Sequence, residues 1–580
     1  MKKRLRFTYP IFRGLSNGIV RPLVYWIGSC VLVIILLGLF AVYGPLHLSW
    51  IQVIGAFIDS DLFSALEYKD PGISLGKKIF LTFIAILSLV FVSAVLIGMI
   101  TNAFSNITYK FHNGDFRRSL KNYILIIGSG EGVPAILAQV AKQKRPIVIF
   151  AATNPNIDGY TYDFYRGEKT CVEDLKTLLI ENTHAIYIVS DKTIINDDAN
   201  CLTCLDILKT LSNTHTKPIH CYTMVNDFTT SEILCYSQKE VCESGPFFLV
   251  DIININEYIA EQLLLYSDFL PVIHTKDKQR VNIVILGAGN VARGMAYTLV
   301  HICHYPKQQN ELRKTRITIM DTQAEQLRDT MVSSRKALFD LSVFTTINAT
   351  GQRTEHHPSK DFLDIEWEFV SLSPESALGQ QFLKDNQQRT DTLVRYIICP
   401  SDETLAMPFA LHLPRTCYEN PIAVAVNDAG AMAARANQTG MYGQWIPFSL
   451  TQHPGKDNLL VDRSEAGQKV NYFFEQAYLS SPSKTKEQAW YKLSESDKLS
   501  SIYCAMGIPL REHCFDQDIE AMAEAEHRRW MASVLLIGTF PADTKDKTHF
   551  LHPDIVPYDE LSEAEKDKDK TLLMKMISQI

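Results

Sequence analysis

Two short glycine-rich segments hold the residue types from which phosphate binding is built. One reads Val281-Asn-Ile-Val-Ile-Leu-Gly287-Ala-Gly289-Asn290-Val291-Ala292-Arg-Gly294. An apolar strand there runs into a glycine turn and then an apolar helix. The first glycine permits a tight turn, the second lets backbone approach a phosphate, and the helix N-terminus stabilises the anion. The next strand, Ile317-Thr-Ile-Met-Asp321, ends in an acid that can accept hydrogen bonds from ribose hydroxyls. Gly287, Gly289, Asn290, Val291 and Asp321 are therefore candidate nucleotide-binding residues. A second, weaker match is Asn122-Tyr-Ile-Leu-Ile-Ile-Gly128-Ser-Gly130-Glu-Gly132-Val133. Gly128 and Gly130 are its candidates, but Val133 replaces the third glycine and Ile147-Val-Ile-Phe-Ala-Ala ends without an acid.

Two further clusters carry functional chemistry. Near the C-terminus, Ile519-Glu-Ala-Met-Ala-Glu-Ala-Glu526-His527-Arg528-Arg529-Trp530 puts Glu526 and Trp530 on one helical face. An aromatic ring beside Arg528 and Arg529 could stack a base and meet phosphates. The plainer reading makes Trp530 and Tyr558 core, His527 a satisfied buried histidine and the arginines a solvated face. The run from Glu563 to Lys570 alternates in charge and reads as an exposed helix start. Near the N-terminus, Gln52 to Ile58 is uncharged and leads into Asp59-Ser60-Asp61, then Glu67 and Asp70. Acidic rings around a symmetry axis attract cations, so Gln52, Ile58, Asp59, Ser60 and Asp61 are candidate pore and selectivity residues. An amphipathic surface loop is the alternative.

The glycine segments need a fold that presents them. Their likeness continues downstream: Ile186-Tyr-Ile-Val-Ser190-Asp191 matches Tyr396-Ile-Ile-Cys-Pro-Ser401-Asp402, and Tyr222-Thr-Met-Val-Asn226-Asp227 matches Val424-Ala-Val-Asn427-Asp428. Two tandem α/β domains with doubly wound parallel sheets are predicted, over 119–268 and 279–480. The polar linker Lys276-Asp-Lys-Gln-Arg280 separates them, and a small mainly α domain follows over 486–580.

The first 118 residues are different. No charged residue lies between Arg21 and Asp59, and Ile79 to Phe104 is uncharged. Each stretch exceeds the ~20 residues that cross a hydrocarbon core. Membrane spans are predicted at about 22–46 and 79–105, joined by a re-entrant loop at 47–62 within a pore module over 22–118. Residues 1–21 form a basic cytosolic N-terminus. Basic residues flank both spans on the outer sides, so both termini are expected in the cytoplasm of a multi-pass protein of the inner (cell) membrane. A cleavable signal is not expected, because the first apolar run is too long and a second span returns the chain.

Composition narrows the classes. The 580 residues carry a net charge of −7, which favours no nucleic-acid partner. The twelve cysteines are scattered and read as buried thiols; Cys201-x-x-Cys204 has no second pair to complete a metal site, so none is expected. No nucleophile elbow, P-loop or metal motif points to catalysis, and no enzymatic activity is expected. Two other readings stay open. One is a membrane-anchored NAD-dependent enzyme using Glu403 and His412 for proton transfer. The other is a regulatory subunit of a separate transporter.

Span, re-entrant segment and span resemble the pore module of two-span tetrameric cation channels, although a TVGYG filter is absent. Tandem glycine-turn domains after the second span, with Tyr165-Arg-Gly167-Glu168 and Cys171-Val-Glu-Asp174-Leu175, resemble the regulator-of-conductance (RCK, or TrkA-N) domains of Castor/Pollux-type channels. The 519–530 helix with His552-Pro553-Asp554 and Pro557-Tyr558-Asp559-Glu560-Leu561 resembles the Ryr domain of ryanodine receptors and bacterial proteins. Ile537-Gly538-Thr539-Phe540 departs from the usual Gly-Trp there. These resemblances imply a homotetrameric ligand-gated ion channel for inorganic cations. They imply gating by NAD, another adenine nucleotide or a nucleotide second messenger, as in antiphage signalling. Within the Ryr-like segment they point to His527, Arg528, Trp530, His552, Pro557 and Tyr558 as ligand-binding residues.

Overall fold

The computed structural model describes residues 28–29, 32–33, 35–58, 74–191, 197–211, 219–236, 248–266, 268–308, 311–426, 430–450 and 459–578. The chain forms two compact units, 1–118 and 119–580. The acidic loop residues Asp59, Ser60 and Asp61 lie outside the described residues, as does part of the predicted first span.

In the first unit, residues 35–43 are helical, followed by α1 (Trp50–Ile58) and the long α2 (Leu75–His112). Ala41, Leu48, Val53, Ala56, Leu81 and Ile84 pack into a small core. Gly38 is required there, because a Cβ would fall 2.0 Å from Trp50 Cζ3. α2 has 38 residues, and its Ile79–Tyr109 stretch is uncharged. Ile79, Phe83, Ile86, Val90, Ile97, Ile100 and Phe104 recur at helical spacing and all stand exposed. An exposed apolar stripe of this length is a surface that normally contacts a partner. Among the described residues no helix is long and apolar enough to cross a membrane. Several side chains in the middle of α2, among them Phe91, Val92, Ala94, Val95 and Leu96, lie outside those residues.

The second unit holds two parallel sheets. The first consists of β1 (Tyr123–Ile127), β2 (Ile147–Ala151), β3 (Asp163–Arg166), β4 (Thr183–Ile188), β5 (Ile219–Val225) and β6 (Phe248–Asn254), in the order β3-β2-β1-β4-β5-β6. The second has β7 (Arg280–Leu286), β8 (Thr315–Met320), β9 (Val343–Ile347), β10 (Arg353–His356), β11 (Ile365–Val370), β12 (Thr392–Ile398), β13 (Ile422–Ala425) and β14 (Trp445–Phe448). Its order is β10-β9-β11-β8-β7-β12-β13-β14. All pairings are parallel except that of β10 with β9, a hairpin added at one edge. β1 and β7 are buried along almost their whole length, as unbroken apolar strands covered on both faces should be. Both sheets have the doubly wound order expected from sequence. In each, strand order reverses beside the glycine turn, where such folds open a crevice.

The helices α3 (Gly132–Val140), α4 (Ile255–Tyr266) and α5 (Asn290–Ile302) follow β1, β6 and β7. α4 packs on α5 and joins the two repeats. Gly294 permits this approach, since a Cβ would lie 2.6 Å from Asn256 O. The C-terminal block contains α6 (Leu459–Tyr478), α7 (Glu495–Met506), α8 (Ile519–Leu536) and α9 (Glu563–Ile577). It shares one hydrophobic core with both repeats: Phe228 and Leu263 from the first, Met295 and Leu299 from the second, and Tyr503, Met531, Leu535 and Leu573 from the block.

Buried polar contacts fasten the block in place. Trp490 Nε1 donates to Asp251 Oδ1 at 3.0 Å, and Ser464 Oγ to Asp251 Oδ2 at 2.6 Å. Arg463 pairs with Glu261 at 2.8 Å, and Tyr503 Oη donates to the same carboxylate at 2.8 Å.

Candidate functional site

The second glycine turn joins β7 to α5. Gly287 has φ +139°, a conformation other residues rarely adopt, and its N–H donates to Met320 O at 3.0 Å. A Cβ on Gly287 would lie 2.2 Å from Cys399 O. On Gly289 it would meet Ser401 Oγ at 2.9 Å. Backbone thus passes close to the end of β12 with no side chain in between. Gly289 is the N-cap of α5, with no side-chain hydrogen bond capping it, and Asn290 is exposed beside half-buried Val291. The thirteen-residue helix therefore starts without a protein acceptor closing its end through the cap.

Asp321 lies just past β8, the strand paired with β7, and its own N–H donates to Val370 O at 3.1 Å. Its Oδ1 accepts from Gln323 N at 2.9 Å, which holds the carboxylate on the turn. The five sequence candidates of this repeat are thus gathered at the C-terminal ends of two adjacent central strands. Asp402, after β12, turns away from the glycines. Its Oδ1 accepts from Thr404 N at 3.0 Å and Thr404 Oγ1 at 2.6 Å, and these bonds lower its pKa below the usual range.

The first repeat is built differently at the same place. Gly128 has φ +119°, and a Cβ would lie 2.2 Å from Val189 O. Here Asp191, the counterpart of Asp402, reaches back over the turn. Its Oδ1 accepts from Ser129 N at 2.8 Å and Ser129 Oγ at 2.7 Å. Buried Lys169 holds Asp191 at 2.9 Å, also pairs with Asp197, and donates to Val189 O at 2.8 Å. A carboxylate of the protein itself thus takes the Ser129 N–H of this turn. Besides Val133 in place of a third glycine and the missing acid after β2, the bond from Ser129 N to Asp191 sets the turn at Gly128 and Gly130 apart from that at Gly287.

The C-terminal candidates divide. His527, Trp530, His552 and Tyr558 come together, with ring centroids 5.7 Å apart for His527–Trp530, 4.9 Å for Trp530–His552 and 5.9 Å for His527–Tyr558. His527 is buried, and its Nε2 donates to Val556 O at 2.9 Å; burial lowers its pKa, favouring the neutral ring. Pro557 leads into the short turn Tyr558–Glu560. Trp530 and His552 remain half-buried. Arg528 does not join them. It is buried, its Nη1 donates to Asp364 Oδ2 at 3.0 Å and its Nη2 to Tyr305 O at 3.1 Å. His304 meets the same Asp364 at 2.9 Å. Arg529 likewise turns inward, to Glu526 at 2.8 Å, and Arg511 meets that carboxylate at 2.9 Å. The expectation that both arginines stand ready for phosphate is corrected: their charges bind the block to the second repeat and to itself.

His412 pairs with Glu375 at 3.1 Å, with both side chains largely exposed. Gln52 is half-buried on α1, its Oε1 accepting from Ser49 N at 3.0 Å. Sequence gave no signal for the pairings of Lys169, Asp364 and Glu261, because each partner lies far away along the chain.

No family model matches the chain, and no curated protein matches it. Solved structures with a similar arrangement include a GsuK channel, at 12% identity and TM-score 0.39 over 77% of this chain and 98% of that one. A GsuK channel bound to NAD gives 10% identity and TM-score 0.39 over 80% and 86%. A human SLO3 gating ring gives 10% identity and TM-score 0.36 over 58% and 82%. Likenesses this distant carry no function across to this chain.

Proposed function

We propose that this chain is a nucleotide-gated membrane channel in which the second glycine turn is the nucleotide site and α2 transmits its occupancy to a cation pathway. The observation that carries the reading is the contrast between the two turns. One is filled by Asp191, and the other has two close-approach glycines, an uncapped helix start and Asp321 at the neighbouring strand end. The pathway reading rests on the uncharged stretch of α2, its exposed apolar stripe and the acidic segment at 59–61. Four copies would surround the pathway, with the 119–580 units on the cytoplasmic side.

A ligand moves such an equilibrium only through tighter binding to one state. Converting a mostly closed population to a mostly open one needs about 5 kcal/mol, or little more than 1 kcal/mol from each of four sites. The test is calorimetric titration of the full-length protein in detergent with NAD and ADP. Binding that disappears in Gly289→Asp supports the reading. Binding that Gly289→Asp leaves intact, or its absence for every adenine nucleotide, counts against it.

A further inference from the structure

The first repeat, the second repeat and the C-terminal block meet around a cavity of about 50 Å³. Ser231 and Glu257 line it from the first repeat, Tyr297 and Arg335 from the second, and Ser496 and Ser533 from the block. A water needs about 10–15 Å³ by this measure, so the space suits a few waters or one small oxyanion. The Arg335 guanidinium lies 4.9 Å from the Tyr297 ring centroid, and that of Arg293 lies 3.9 Å from the Phe228 centroid. Planar cations fixed against aromatic faces are suited to oxyanions, because little side-chain freedom remains to be lost on binding.

We propose that this cavity binds a small oxyanion, a phosphate- or carboxylate-sized group, through Arg335 and the surrounding hydroxyls, and that its occupancy fastens the three lobes together. The site is distinct from the glycine turn, since Tyr297 stands two turns along α5 from Asn290. Glu257 makes it proton-linked. Burial and the neighbouring Glu261 push its carboxyl up to about 7, against the opposing pull of Arg463, Arg335 and Arg293. His301, on the same wall, has its pKa lowered by burial and by Arg529, which disfavours its charged form. An anion entering beside Glu257 favours the protonated carboxyl, so binding takes up a proton and strengthens as pH falls.

The test is calorimetric titration of the full-length protein in detergent with sulfate, whose charge is constant between pH 6 and 8. Phosphate and malonate run in parallel tell a phosphate-type from a carboxylate-type ligand. Affinity for sulfate is expected to be roughly tenfold weaker at pH 8 than at pH 6, following the protonated fraction of a group titrating at about 7. Glu257→Gln is expected to bind with no such pH dependence. Arg335→Gln is expected to abolish binding, and Ser231→Phe, which fills the cavity from its half-buried rim, gives an independent check if the arginine variant fails to fold. Gly289→Asp is expected to leave it unchanged, which separates this site from the nucleotide site. Absence of binding by sulfate, phosphate and malonate at both pH values overturns the proposal. So does binding that survives Ser231→Phe, or that disappears in Gly289→Asp.

Discussion

Asp191 lies across the first glycine turn and accepts from both the backbone N–H and the hydroxyl of Ser129, at 2.8 and 2.7 Å. The repeat therefore keeps the shape of a phosphate-binding turn with the Ser129 N–H already taken by a carboxylate. On the proposed function, one nucleotide per chain is expected, not two. Asp191→Ala is expected to cost about 1–3 kcal/mol, because it leaves the buried Lys169 with one carboxylate partner fewer and Ser129 unpaired. Chemical denaturation in detergent measures the cost, and titration counts the nucleotides.

The two glycines of the second turn should separate fold from function. Gly287→Ala puts a Cβ 2.2 Å from Cys399 O at φ +139°, so it is expected to lose about 1–3 kcal/mol or more of stability. Gly289→Ala meets the Ser401 hydroxyl at 2.9 Å, which can rotate, and the Ser401 Cα at 3.3 Å, which asks for a shift of a few tenths of an ångström. That variant is expected to fold with near-native stability yet bind nucleotide at least tenfold more weakly, as calorimetry would read.

How legible was this in the sequence? The central parallel strands were, because they are short apolar runs and each glycine turn is followed by a helical pattern; the exposed polar β10, Arg353-Thr-Glu-His356, and its antiparallel pairing with β9 were not. Gly287, Gly289 and Asp321 were legible for the same reason, since a local turn and the end of the next strand fix their positions. Asp191 is the counterpart of Asp402 in the repeat, but nothing local says that one folds over its turn and the other caps Thr404. Arg528 looked like a surface cation beside Trp530. Its fate is decided by Asp364, 164 positions away, and by a block that packs across both repeats.

Buried Glu526 provides a pH test of that block. Burial raises its pKa, but Arg529 and Arg511 outweigh this, and the net shift is downward. A carboxylate with a depressed folded pKa contributes stability above its unfolded value near 4.5, and that contribution is lost as pH falls through the folded value. Glu526→Gln is expected to cost about 3–5 kcal/mol at pH 7, leaving two arginines buried without their carboxylate. The difference from the parent should narrow as pH drops below about 4.5, as denaturation curves across pH would record.

The acidic segment is testable by charge removal. Asp59→Asn and Asp61→Asn remove charge from the proposed pore mouth and are expected to reduce cation flux in proteoliposomes several-fold, with nucleotide binding unchanged. Undiminished flux in the double variant would remove these residues from the pathway.

The most direct test of the central claim is electrical. The purified full-length protein would be reconstituted in planar bilayers and its currents recorded while NAD and ADP are added to the side facing the 119–580 unit. A cation current that changes with nucleotide in the parent, and no longer responds in Gly289→Asp, is the expected result. Silence under every nucleotide, or a nucleotide response that Gly289→Asp retains, would contradict it.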